Sequence, residues 1–545
     1  MRAPCLAPTR LTATHTARQV LAGCISHEAR KVAAGVRLAS TVADNAPKPT
    51  IDGKSSGRRE RVVILGSGWA GYAFARKLDP QKYERIMVSP RSYFVFTPLV
   101  AGTAVGTLEF RAVVEPVRRL GLDEYHQAWA DGVDFARKVV RVEANTSDDL
   151  TARTPPSPPS SPLSSQQQQQ PPTTTTTTTA KGPMFDVPYD KLVVAVGAYA
   201  QTFGIEGVRE HAHFLRDVGD ARRIRTRVLR CFERASLPTT TEAGRCALLH
   251  FAVVGGGPTG IEFAAELHDL VRDDLRATYP SLAPLARITV YDVADKVLPM
   301  FDRRLAQYAT DTFRRERIDV RTGHHLTRIR AAEDGEERDL GCLRLKFREH
   351  GDGDEVSAGL VVWSTGLMPN PLIGRLGAAE TGDGGGSRGG GVRLRKDDKS
   401  GGLVTDAHLR VVVGDHHSGG GGGNDVLPDV FSIGDCTVVD GQRYPATAQV
   451  ASQQAAYLAR RLNKGDVGTA DAAALPFRFR NWGVMTYLGS WRAIHQSSAD
   501  ELTGRAAWFL WRTAYLTKSM SVRNKIMVPV YWFMSWLFGR DISRF

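Results

Sequence analysis

Gly66-Ser67-Gly68-Trp69-Ala70-Gly71 and Gly255-Gly256-Gly257-Pro258-Thr259-Gly260 are the two stretches of sequence that decide the fold. The first follows the apolar run Val62–Leu65, and the second follows the apolar run Phe251–Val254. Each pattern predicts a buried strand, a tight turn and a helix, an arrangement that brings backbone N–H groups to a pyrophosphate. One such turn carries little weight, but two predict that the chain holds two dinucleotides. The simplest use of such a pair is electron transfer from a nicotinamide to a flavin.

The composition restricts the class of protein. The chain has 545 residues, enough for two or three domains. Its net charge is +13, with 71 basic and 58 acidic residues, and much of the excess lies near the two termini. A basic groove for nucleic acid across a central fold is therefore not indicated. The 6 cysteines form no C-x-x-C pair and no metal-binding spacing, so neither a disulfide reductase nor a metal site is predicted.

The N-terminal segment has the composition of a mitochondrial transit peptide. Residues 1–43 contain five arginines, many Ser, Thr and Ala, and a single acid, Glu28. We expect removal near Ser40, followed by a polar linker over 44–59; the alternative is a disordered basic tail. No apolar anchor is predicted after this leader, which favours the matrix side of the inner membrane.

Three low-complexity stretches interrupt the predicted fold. The insert 146–182 is rich in Pro, Ser, Gln and Thr, while 382–391 and 419–423 are glycine-rich. Such segments bury too little apolar surface to offset their ordering entropy, so each is expected to be a disordered surface loop without chemistry. The first insert widens the turn between two predicted antiparallel strands, Asp134–Val142 and Met184–Val187.

Apolar runs followed by glycine indicate further buried parallel strands. Leu192–Val196, Leu360–Trp363 and Val430–Ile433 lead to Gly197, Gly366 and Gly434, respectively. Helices are predicted at Ala70–Leu78, Gly260–Tyr279 and Ala446–Asn463. The fold class is therefore α/β, with two Rossmann-like nucleotide-binding domains, one inserted in the other. The predicted parts are an FAD-binding domain over 60–245 and 371–475, an NADH-binding domain over 246–370, and a C-terminal region of membrane-associating helices over 476–545.

Four longer motifs carry a resemblance to a known family. They are Ser89–Leu99 (SPRSYFVFTPL), Gly106–Arg111 (GTLEFR), Tyr444–Gln454 (YPATAQVASQQ) and Phe538–Asp541 (FGRD). With them the chain resembles the type II NADH dehydrogenases, the alternative NADH:ubiquinone oxidoreductases, most closely the fungal mitochondrial form. These belong to the pyridine nucleotide-disulfide oxidoreductase superfamily. The resemblance runs from Arg61 to Phe545 apart from the inserts, and it implies FAD as a non-covalent cofactor.

The first glycine loop is expected to hold FAD. Gly66 permits the turn, Gly68 lets the backbone approach the pyrophosphate, and Gly71 allows close packing of helix on strand. The acid usually found at the end of the second strand is absent, and Ser89 takes its place. The resemblance implies that the FAD site is completed by residues from several loops: Ser89, Pro90, Arg91, Thr97, Gly197, Gly434 and Asp435. Asp435 resembles the aspartate that binds the ribityl chain; the alternative is a helix N-cap.

The second glycine loop is expected to bind NADH through Gly255, Gly257 and Gly260, with Gly366 nearby. Asp292 ends the predicted strand Ile288–Tyr291, where an acid binds the adenosine ribose and repels a 2′-phosphate. The alternative for Asp292 is a surface carboxylate. Glu262 resembles the family's glutamate near the nicotinamide; the alternative is an acid in the first turn of a helix. Hydride transfer from nicotinamide to flavin requires no catalytic side chain.

Two glutamines are candidates for binding ubiquinone. Gln449 and Gln453 are four residues apart, so they share one face of a helix. Neutral amides can hydrogen-bond quinone carbonyls without the desolvation cost of a charge, and the resemblance places this helix near the quinone. The alternative is a pair of solvent-facing glutamines.

The C-terminal region has the composition of a membrane surface anchor. Residues 504–545 contain seven basic residues, one acid and ten aromatic residues. The apolar segment Ile526–Phe538 is too short to span a bilayer but suits the interface of an anionic membrane. The alternatives are a buried helix pair or the interface of a homodimer, and the resemblance implies that this region serves both membrane contact and dimerisation.

Together these features predict a peripheral enzyme of the mitochondrial inner membrane that oxidises NADH and reduces ubiquinone without pumping protons. One alternative is a sulfide:quinone oxidoreductase, which needs a cysteine pair at the flavin where only Cys436 is suitably placed. The other is a signalling flavoprotein that senses NADH.

Overall fold

The computed structural model describes residues 58–145, 182–333, 335–351, 353–377, 392–414, 425–466, 475–497, 500–519 and 521–544. The predicted leader 1–43 and the glycine-rich runs 382–391 and 419–423 lie outside the described residues. So do all but the last residues of the predicted linker 44–59 and of the insert 146–182. From Arg59 onward the chain forms one compact unit.

The strands of the described residues are numbered in chain order. They are β1 (Glu60–Leu65), β2 (Tyr83–Ser89), β3 (Tyr93–Val95), β4 (Val114–Pro116), β5 (Glu124–Asp134), β6 (Val139–Ala144), β7 (Met184–Pro188), β8 (Lys191–Val194), β9 (Ala198–Ala200), β10 (His213–Phe214), β11 (His250–Val254), β12 (Arg287–Tyr291), β13 (Asp319–Arg321), β14 (Leu326–Ala331), β15 (Leu343–Phe347), β16 (Glu355–Ala358), β17 (Leu360–Trp363), β18 (Leu367–Pro369), β19 (Leu403–Thr405), β20 (Arg410–Val412), β21 (Val426–Ser432), β22 (Thr437–Val439), β23 (Val484–Gly489), β24 (Arg492–Gln496) and β25 (Glu501–Thr503).

The α-helices are numbered in the same way. They are α1 (Trp69–Lys77), α2 (Val100–Ala104), α3 (Val208–His211), α4 (Val218–Ala235), α5 (Glu242–Leu248), α6 (Pro258–Leu270), α7 (Arg276–Thr278), α8 (Arg303–Arg315), α9 (Gly335–Leu340), α10 (Pro371–Arg375), α11 (Ala448–Lys464), α12 (Gly504–Lys518) and α13 (Val522–Phe538). A π-helical turn, Val271–Leu275, connects α6 to α7, and short 3₁₀ turns cover Thr97–Leu99, Phe110–Ala112, Val117–Leu120 and Ala283–Leu285.

The larger sheet has ten strands in the order β22-β19-β20-β21-β8-β1-β2-β5-β6-β7. Its central strands β21, β8, β1, β2 and β5 are parallel. The apolar run at the end of β1 is fully buried, as expected for a strand covered on both faces. The first glycine loop follows directly at the carboxyl end of β1, the edge at which such sheets bind ligands.

The second sheet is entirely parallel, with the order β10-β17-β11-β12-β13. Its strands come from residues 213–363, between β8 and the return of the chain to the larger sheet at β19. The second nucleotide fold is thus inserted within the first in the chain. Strand β10 lies ahead of residue 246, where the NADH-binding domain was predicted to begin.

Most of the predicted elements are confirmed within one or two residues. Helices α1 and α11 agree with the prediction, and the predicted helix Gly260–Tyr279 is continuous through the π-helical turn. The predicted strand Asp134–Val142 is wrong in its bounds, because β5 ends at Asp134 and Lys138 turns the chain with φ +53° before β6 begins. Strands β6 and β7 do pair antiparallel as predicted, but they extend the larger sheet.

The C-terminal region combines a three-stranded antiparallel sheet, β23-β24-β25, with α12 and α13. Helix α13 begins at Val522, four residues before the predicted apolar segment, and Ser521 caps it by accepting from the Asn524 N–H. Its 17 residues span about 25 Å at 1.5 Å per residue. Among the described residues, no helix combines the length and hydropathy needed to cross a membrane.

Candidate active site

The first glycine loop forms an open cradle at the N-terminus of α1. Gly66 has φ +102°, and its N–H donates to the Val88 carbonyl over 2.8 Å. A Cβ on Gly71 would lie 1.9 Å from the Gly66 carbonyl oxygen, so only glycine allows this packing. A Cβ on Gly68 would meet nothing within 4 Å, and no side chain caps the helix. The loop therefore leaves room and free N–H groups for a pyrophosphate.

The second loop repeats this geometry at the N-terminus of α6. Gly255 has φ +115°, and its N–H donates to the Tyr291 carbonyl over 2.8 Å. A Cβ on Gly260 would lie 2.0 Å from the Gly255 carbonyl oxygen, whereas the Cβ position of Gly257 is open. The residues of both loops therefore fit a dinucleotide pyrophosphate in the same way.

Serine replaces the usual acid beside the first loop. The buried Ser89 hydroxyl lies 2.8 Å from the Ser67 hydroxyl and accepts from the Arg91 N–H over 3.3 Å. The predicted residues Ser89 and Arg91 thus lie next to the loop, and the Pro90 carbonyl accepts from Asn145 over 3.1 Å.

Asp217 joins this region to α4, a link that the sequence analysis missed. Its carboxylate accepts a hydrogen bond from the Tyr93 hydroxyl over 2.9 Å and forms an ion pair with the Arg91 Nε over 2.9 Å. Burial and the Asp217 charge raise the pKa of Tyr93. Thr97 lies on the other side of the cradle, where its hydroxyl accepts from the Trp69 indole over 3.0 Å.

The return of the chain after β21 brings Gly434 and Asp435 to the same edge. Gly434 has φ +82°, and its N–H donates to the buried Gln454 Oε1 over 2.7 Å. Gln454 is a second residue whose contact the sequence analysis missed. Burial raises the pKa of Asp435, although the charge of Arg216 opposes this. The N-cap alternative for Asp435 is wrong, because strand β22 and not a helix follows it. Gly197, with φ +67°, follows the neighbouring strand β8.

Asp292 lies directly after β12, against the second loop. Its Oδ2 accepts from the Gly256 N–H over 2.5 Å, and its Oδ1 accepts from the Ala294 N–H over 2.8 Å. The half-buried carboxylate is therefore part of the loop, which contradicts the alternative of an ordinary surface acid. Gly366, with φ +76°, opens the strand pair β9-β18 and accepts from the Gln201 N–H over 3.3 Å.

Glu262 is buried in the second turn of α6. Its Oε1 accepts from the Tyr487 N–H and from the Trp511 indole, each over 3.2 Å. Burial raises the pKa of Glu262 to about 8. The alternative of a first-turn acid is wrong, since the first turn of α6 contains no acidic residue.

Glu262 lines a narrow cleft that has room for about one water molecule. The walls come from three parts of the chain: α6, the segment 98–108, and the C-terminal region. They comprise Pro98, Leu99, Ala101, Gly102, Thr107, Leu108, Glu262, Glu266, Tyr487, Trp511 and Trp532. The cleft therefore lies where the two nucleotide folds and the C-terminal region meet, and the motif of either loop alone does not predict it.

Gln449 and Gln453 do lie on one side of α11, but their amides are bonded to backbone. Gln449 donates to the Gly483 carbonyl over 2.7 Å and accepts from the Trp482 N–H over 3.2 Å. Gln453 exchanges both bonds with the backbone of Arg480, over 2.8 and 2.9 Å. Both glutamines are half-buried, and the bonds of Gln453 are exposed to solvent. Each amide NH2 uses one N–H for a backbone carbonyl and has a second N–H for a quinone carbonyl, so the quinone role stays a prediction.

The outer side of the two C-terminal helices is apolar. Its large side chains are between 45 and 75% exposed, far more than a buried helix pair allows: Phe509, Val522, Ile526, Val530, Phe533, Met534, Trp536, Leu537 and Phe538. Val528 and Trp532 on the inner side of α13 are buried, and Trp532 lines the cleft. An apolar patch of this kind marks an interaction surface.

Comparison with known proteins identifies the class to which this fold and site belong. Residues 60–455 match the pyridine nucleotide-disulphide oxidoreductase family, and the chain belongs to it. Residues 482–541 match the NDH2 C-terminal domain. Within this class the chain is a member of the alternative NADH:ubiquinone oxidoreductases, or type II NADH dehydrogenases, as the sequence predicted. FAD is the cofactor of this family, and NADH is its reductant.

Several relatives support this assignment along most of the chain. A probable NADH dehydrogenase of Dictyostelium discoideum is 36% identical, over 89% of this chain and 91% of the relative. The internal alternative NAD(P)H-ubiquinone oxidoreductase A1 of potato mitochondria is 34% identical, over 91 and 90%. The external alternative NADH-ubiquinone oxidoreductase of Yarrowia lipolytica mitochondria is 31% identical, over 89 and 81%.

Solved structures share the fold. NDH2 of Plasmodium falciparum in complex with NADH superposes with a TM-score of 0.70 at 21% identity, over 89% of this chain and 100% of the other. The sulfide:quinone oxidoreductase of Aquifex aeolicus has a TM-score of 0.55 at 16% identity, over 88 and 96%. That second likeness concerns the fold alone. The thiol of Cys436 is fully buried, 3.6 Å from the Val194 carbonyl and 3.4 Å from the Ile433 carbonyl, and is therefore not accessible to a sulfide substrate.

Proposed function

We propose that the protein oxidises NADH through a bound FAD and passes both electrons to ubiquinone, without moving protons across a membrane. The observation that carries this proposal is the cleft around Glu262, where α6, the segment 98–108 and the C-terminal region meet. The overall reaction is NADH + H⁺ + ubiquinone → NAD⁺ + ubiquinol.

The first loop is proposed to hold FAD. When bound, FAD accepts a hydride from NADH and returns the electron pair to the quinone. Gly66, Gly68 and Gly71 provide the pyrophosphate cradle, and Asp435 is proposed to bind the ribityl hydroxyls. Ser89, Pro90, Arg91, Thr97, Gly197 and Gly434 complete the pocket. Support comes from the open Cβ position of Gly68 and from the bond that fixes Gly434 to Gln454.

The second loop is proposed to bind NADH as an exchangeable substrate. Gly255, Gly257 and Gly260 cradle the pyrophosphate, and Gly366 lines the route to the nicotinamide. Asp292 is proposed to accept the ribose hydroxyls and to disfavour the 2′-phosphate of NADPH. Glu262 is proposed to lie near the nicotinamide, at the wall shared with the C-terminal region.

Ubiquinone is proposed to enter between α11 and the segment that precedes β23, and to reach the cleft along β23, whose Tyr487 lines the cleft. Gln449 and Gln453 hold this segment through backbone hydrogen bonds, and the second N–H of each amide can donate to a quinone carbonyl. The exposed Trp482 ring, with the Lys518 ammonium 5.1 Å from its centroid, suits the boundary between headgroups and acyl chains.

The exposed sides of α12 and α13 are proposed to rest on an anionic membrane surface. Arg523 and Lys525 lie in the first turn of α13, and their positive charges suit anionic headgroups. We propose the mitochondrial inner membrane, because the potato and Yarrowia relatives are mitochondrial, and the matrix side, as for the internal potato enzyme. A homodimer formed through the same region is proposed as well, and mass measurement in detergent tests it.

The decisive experiment follows the flavin in the purified, lipid-reconstituted chain. NADH should bleach the flavin absorbance, and ubiquinone-1 should restore it at the rate of steady-state turnover, while NADPH should act more slowly. A colourless protein would overturn the proposal. Slow flavin reoxidation that ubiquinone-1 does not accelerate would favour a sensor of NADH.

A further inference from the structure

The terminal segment is hydrogen-bonded to the wall of the cleft. The Nε of Arg540 donates to the Thr107 hydroxyl over 3.0 Å, and this hydroxyl donates to Glu266 Oε2 over 2.8 Å. Arg540 also pairs with Asp274 over 2.7 Å, and its backbone N–H donates to the same carboxylate over 2.9 Å. A line of bonds therefore runs from the C-terminal segment to a buried carboxyl beside Glu262.

The direction of these bonds is fixed by the chemistry of arginine. A guanidinium has donors only, so Arg540 must donate to Thr107, and the single hydroxyl proton of Thr107 is left for Glu266 Oε2. Because Oε2 already accepts this proton, a proton carried by the carboxyl itself is favoured on Oε1. Oε1 lies 3.5 Å from the position of a Cβ on Gly102, a residue of the cleft wall.

The surroundings of Glu266 favour a carboxyl that holds its proton. Glu266 is 7% exposed and lies one helical turn after Glu262 on α6. Burial raises the pKa of Glu266, and the charge of Asp269 raises it further, while Arg540, Thr107 and Arg512 act in the opposite direction. The net direction is upward, so this carboxyl keeps its proton to a higher pH than an ordinary glutamate does.

We propose that Arg540 and Thr107 orient the Glu266 carboxyl toward the cleft and that Glu266 holds a proton there for the reduction of ubiquinone. This inference rests on the proposed function. Ubiquinone takes up two electrons and two protons, whereas the hydride of NADH carries two electrons and one proton. The second proton must therefore come from solvent, either directly or through a side chain of the protein. In this step the O–H bond of Glu266 breaks, an O–H bond of ubiquinol forms, and the carboxylate then recovers a proton from solvent.

The position of the terminal segment makes Arg540 and Thr107 positioning residues. Gly539 connects α13 to Arg540 with φ +83°, and a Cβ there would lie 2.7 Å from the Asp274 carboxylate. The next residue, Asp541, pairs with the buried Arg225 of α4 over 2.7 Å. The helix with the exposed apolar side is thus tied directly to the residue that orients Glu266.

The test replaces the hydroxyl that relays between Arg540 and Glu266. Thr107→Val removes this hydroxyl with little change in shape, and Thr103→Val is the matched control. Thr103 is equally buried nearby, but its hydroxyl donates to its own helix, at Val100. We expect Thr107→Val to lower ubiquinone-1 turnover of the FAD-loaded full chain by about 10-fold, part of the gain typical of a positioned proton donor. The rate of flavin reduction by NADH, which takes no proton from the protein, is the reference.

Two further readouts separate proton transfer from a fold defect. NADH-induced infrared difference spectra should contain a carboxyl C=O band that Glu266→Gln abolishes and Thr107→Val shifts, whereas Thr103→Val leaves it unchanged. Arg540→Lys keeps the charge but cannot reach Thr107 and Asp274 together, so turnover should fall with a changed pH profile. Turnover of Thr107→Val equal to that of Thr103→Val, or a band that survives Glu266→Gln, would overturn the inference alone. Native protein that reduces its flavin but not ubiquinone would overturn the proposed function as well.

Discussion

The two glycine loops share one backbone but differ in the side chains around it. The first glycines have φ +102° and +115°, and both donate to the carbonyl of one of the last two residues of the neighbouring strand. The third glycines would place a Cβ 1.9 and 2.0 Å from the first glycine's carbonyl oxygen. At equivalent positions, however, Ser89 in the first fold corresponds to Asp292 in the second, and Ala73 corresponds to Glu262.

This difference separates what the loops share from what makes each specific. The common backbone suits the pyrophosphate, which both nucleotides contain. The residue after the second strand decides how the ribose is held, since serine and aspartate offer different hydrogen bonds and charges. The residue in the second turn of the helix also differs: α1 buries the methyl group of Ala73, whereas α6 buries the carboxyl of Glu262.

The largest expected effect comes from the glycines that contact the turn. Gly71→Ala and Gly260→Ala each force a Cβ against a backbone oxygen, so each should destabilise its fold by about 3 kcal/mol or more. We expect Gly71→Ala to lose FAD, whereas Gly260→Ala keeps FAD and loses flavin reduction by NADH. The measurements are the FAD-to-protein ratio and the rate of flavin bleaching.

Gly132→Ala in β5 is the control, because its Cβ position is open and its φ is not positive. Loss of FAD in Gly260→Ala but not in Gly71→Ala would reverse the assignment of the two loops.

A smaller effect is expected at the glycines with open Cβ positions. Gly68→Ala and Gly257→Ala meet no protein atom, so both variants should fold normally. Each added methyl group takes space where a pyrophosphate approaches the helix. We expect Gly68→Ala to weaken FAD binding about 10-fold and Gly257→Ala to raise the KM for NADH about 10-fold with full FAD content. Unchanged values in both variants would show that neither cradle binds a nucleotide.

Local pattern was enough to predict the two cradles and the strands that carry them. Each apolar run, glycine turn and helix is contiguous in the chain, so the period of the sequence indicates the element. The bounds of the strand predicted over Asp134–Val142 were wrong, because the turn at Lys138 depends on a positive φ that the composition does not signal.

Contacts between distant segments could not be predicted in this way. Asp217 meets Tyr93 across 124 residues, and Gln454 meets Gly434 from another element. The spacing of Asp217 and Asp220 fits a capping box. This signal could have located the start of α4, but it does not show that Asp217 bonds to Tyr93. Gln449 and Gln453 were identified as a pair on one face, yet their backbone partners near Arg480 depend on how the C-terminal region packs.

Asp292→Ser makes the second loop resemble the first at the end of its strand. The variant loses the negative charge that repels a 2′-phosphate, so we expect the ratio of kcat/KM for NADH over NADPH to fall about 10-fold or more. Steady-state kinetics with both nucleotides measures it. Asp295→Ser, which removes an exposed acid three residues further on, is the control and should keep the native ratio. An unchanged ratio in Asp292→Ser would place the specificity elsewhere.

The last difference concerns the second-turn residue, where the first helix has Ala73 and the second has Glu262. The pKa of Glu262 is about 8 in the folded protein and near 4.5 in the unfolded chain, so between these values the folded state holds a proton that the unfolded state releases. Folding stability from this group is therefore present below pH 4.5 and is lost as the pH rises toward 8.

Glu262→Gln removes this loss of stability, while its amide oxygen still accepts hydrogen bonds from Tyr487 and Trp511. The variant should gain stability relative to the native protein from pH 5 to pH 8, on the order of 3 kcal/mol. Melting temperatures across this range measure the gain, with the exposed Glu210→Gln as control. Parallel curves for Glu262→Gln and native protein would mean that the carboxyl is ionised throughout, and that the second helix resembles the first in carrying no stored proton.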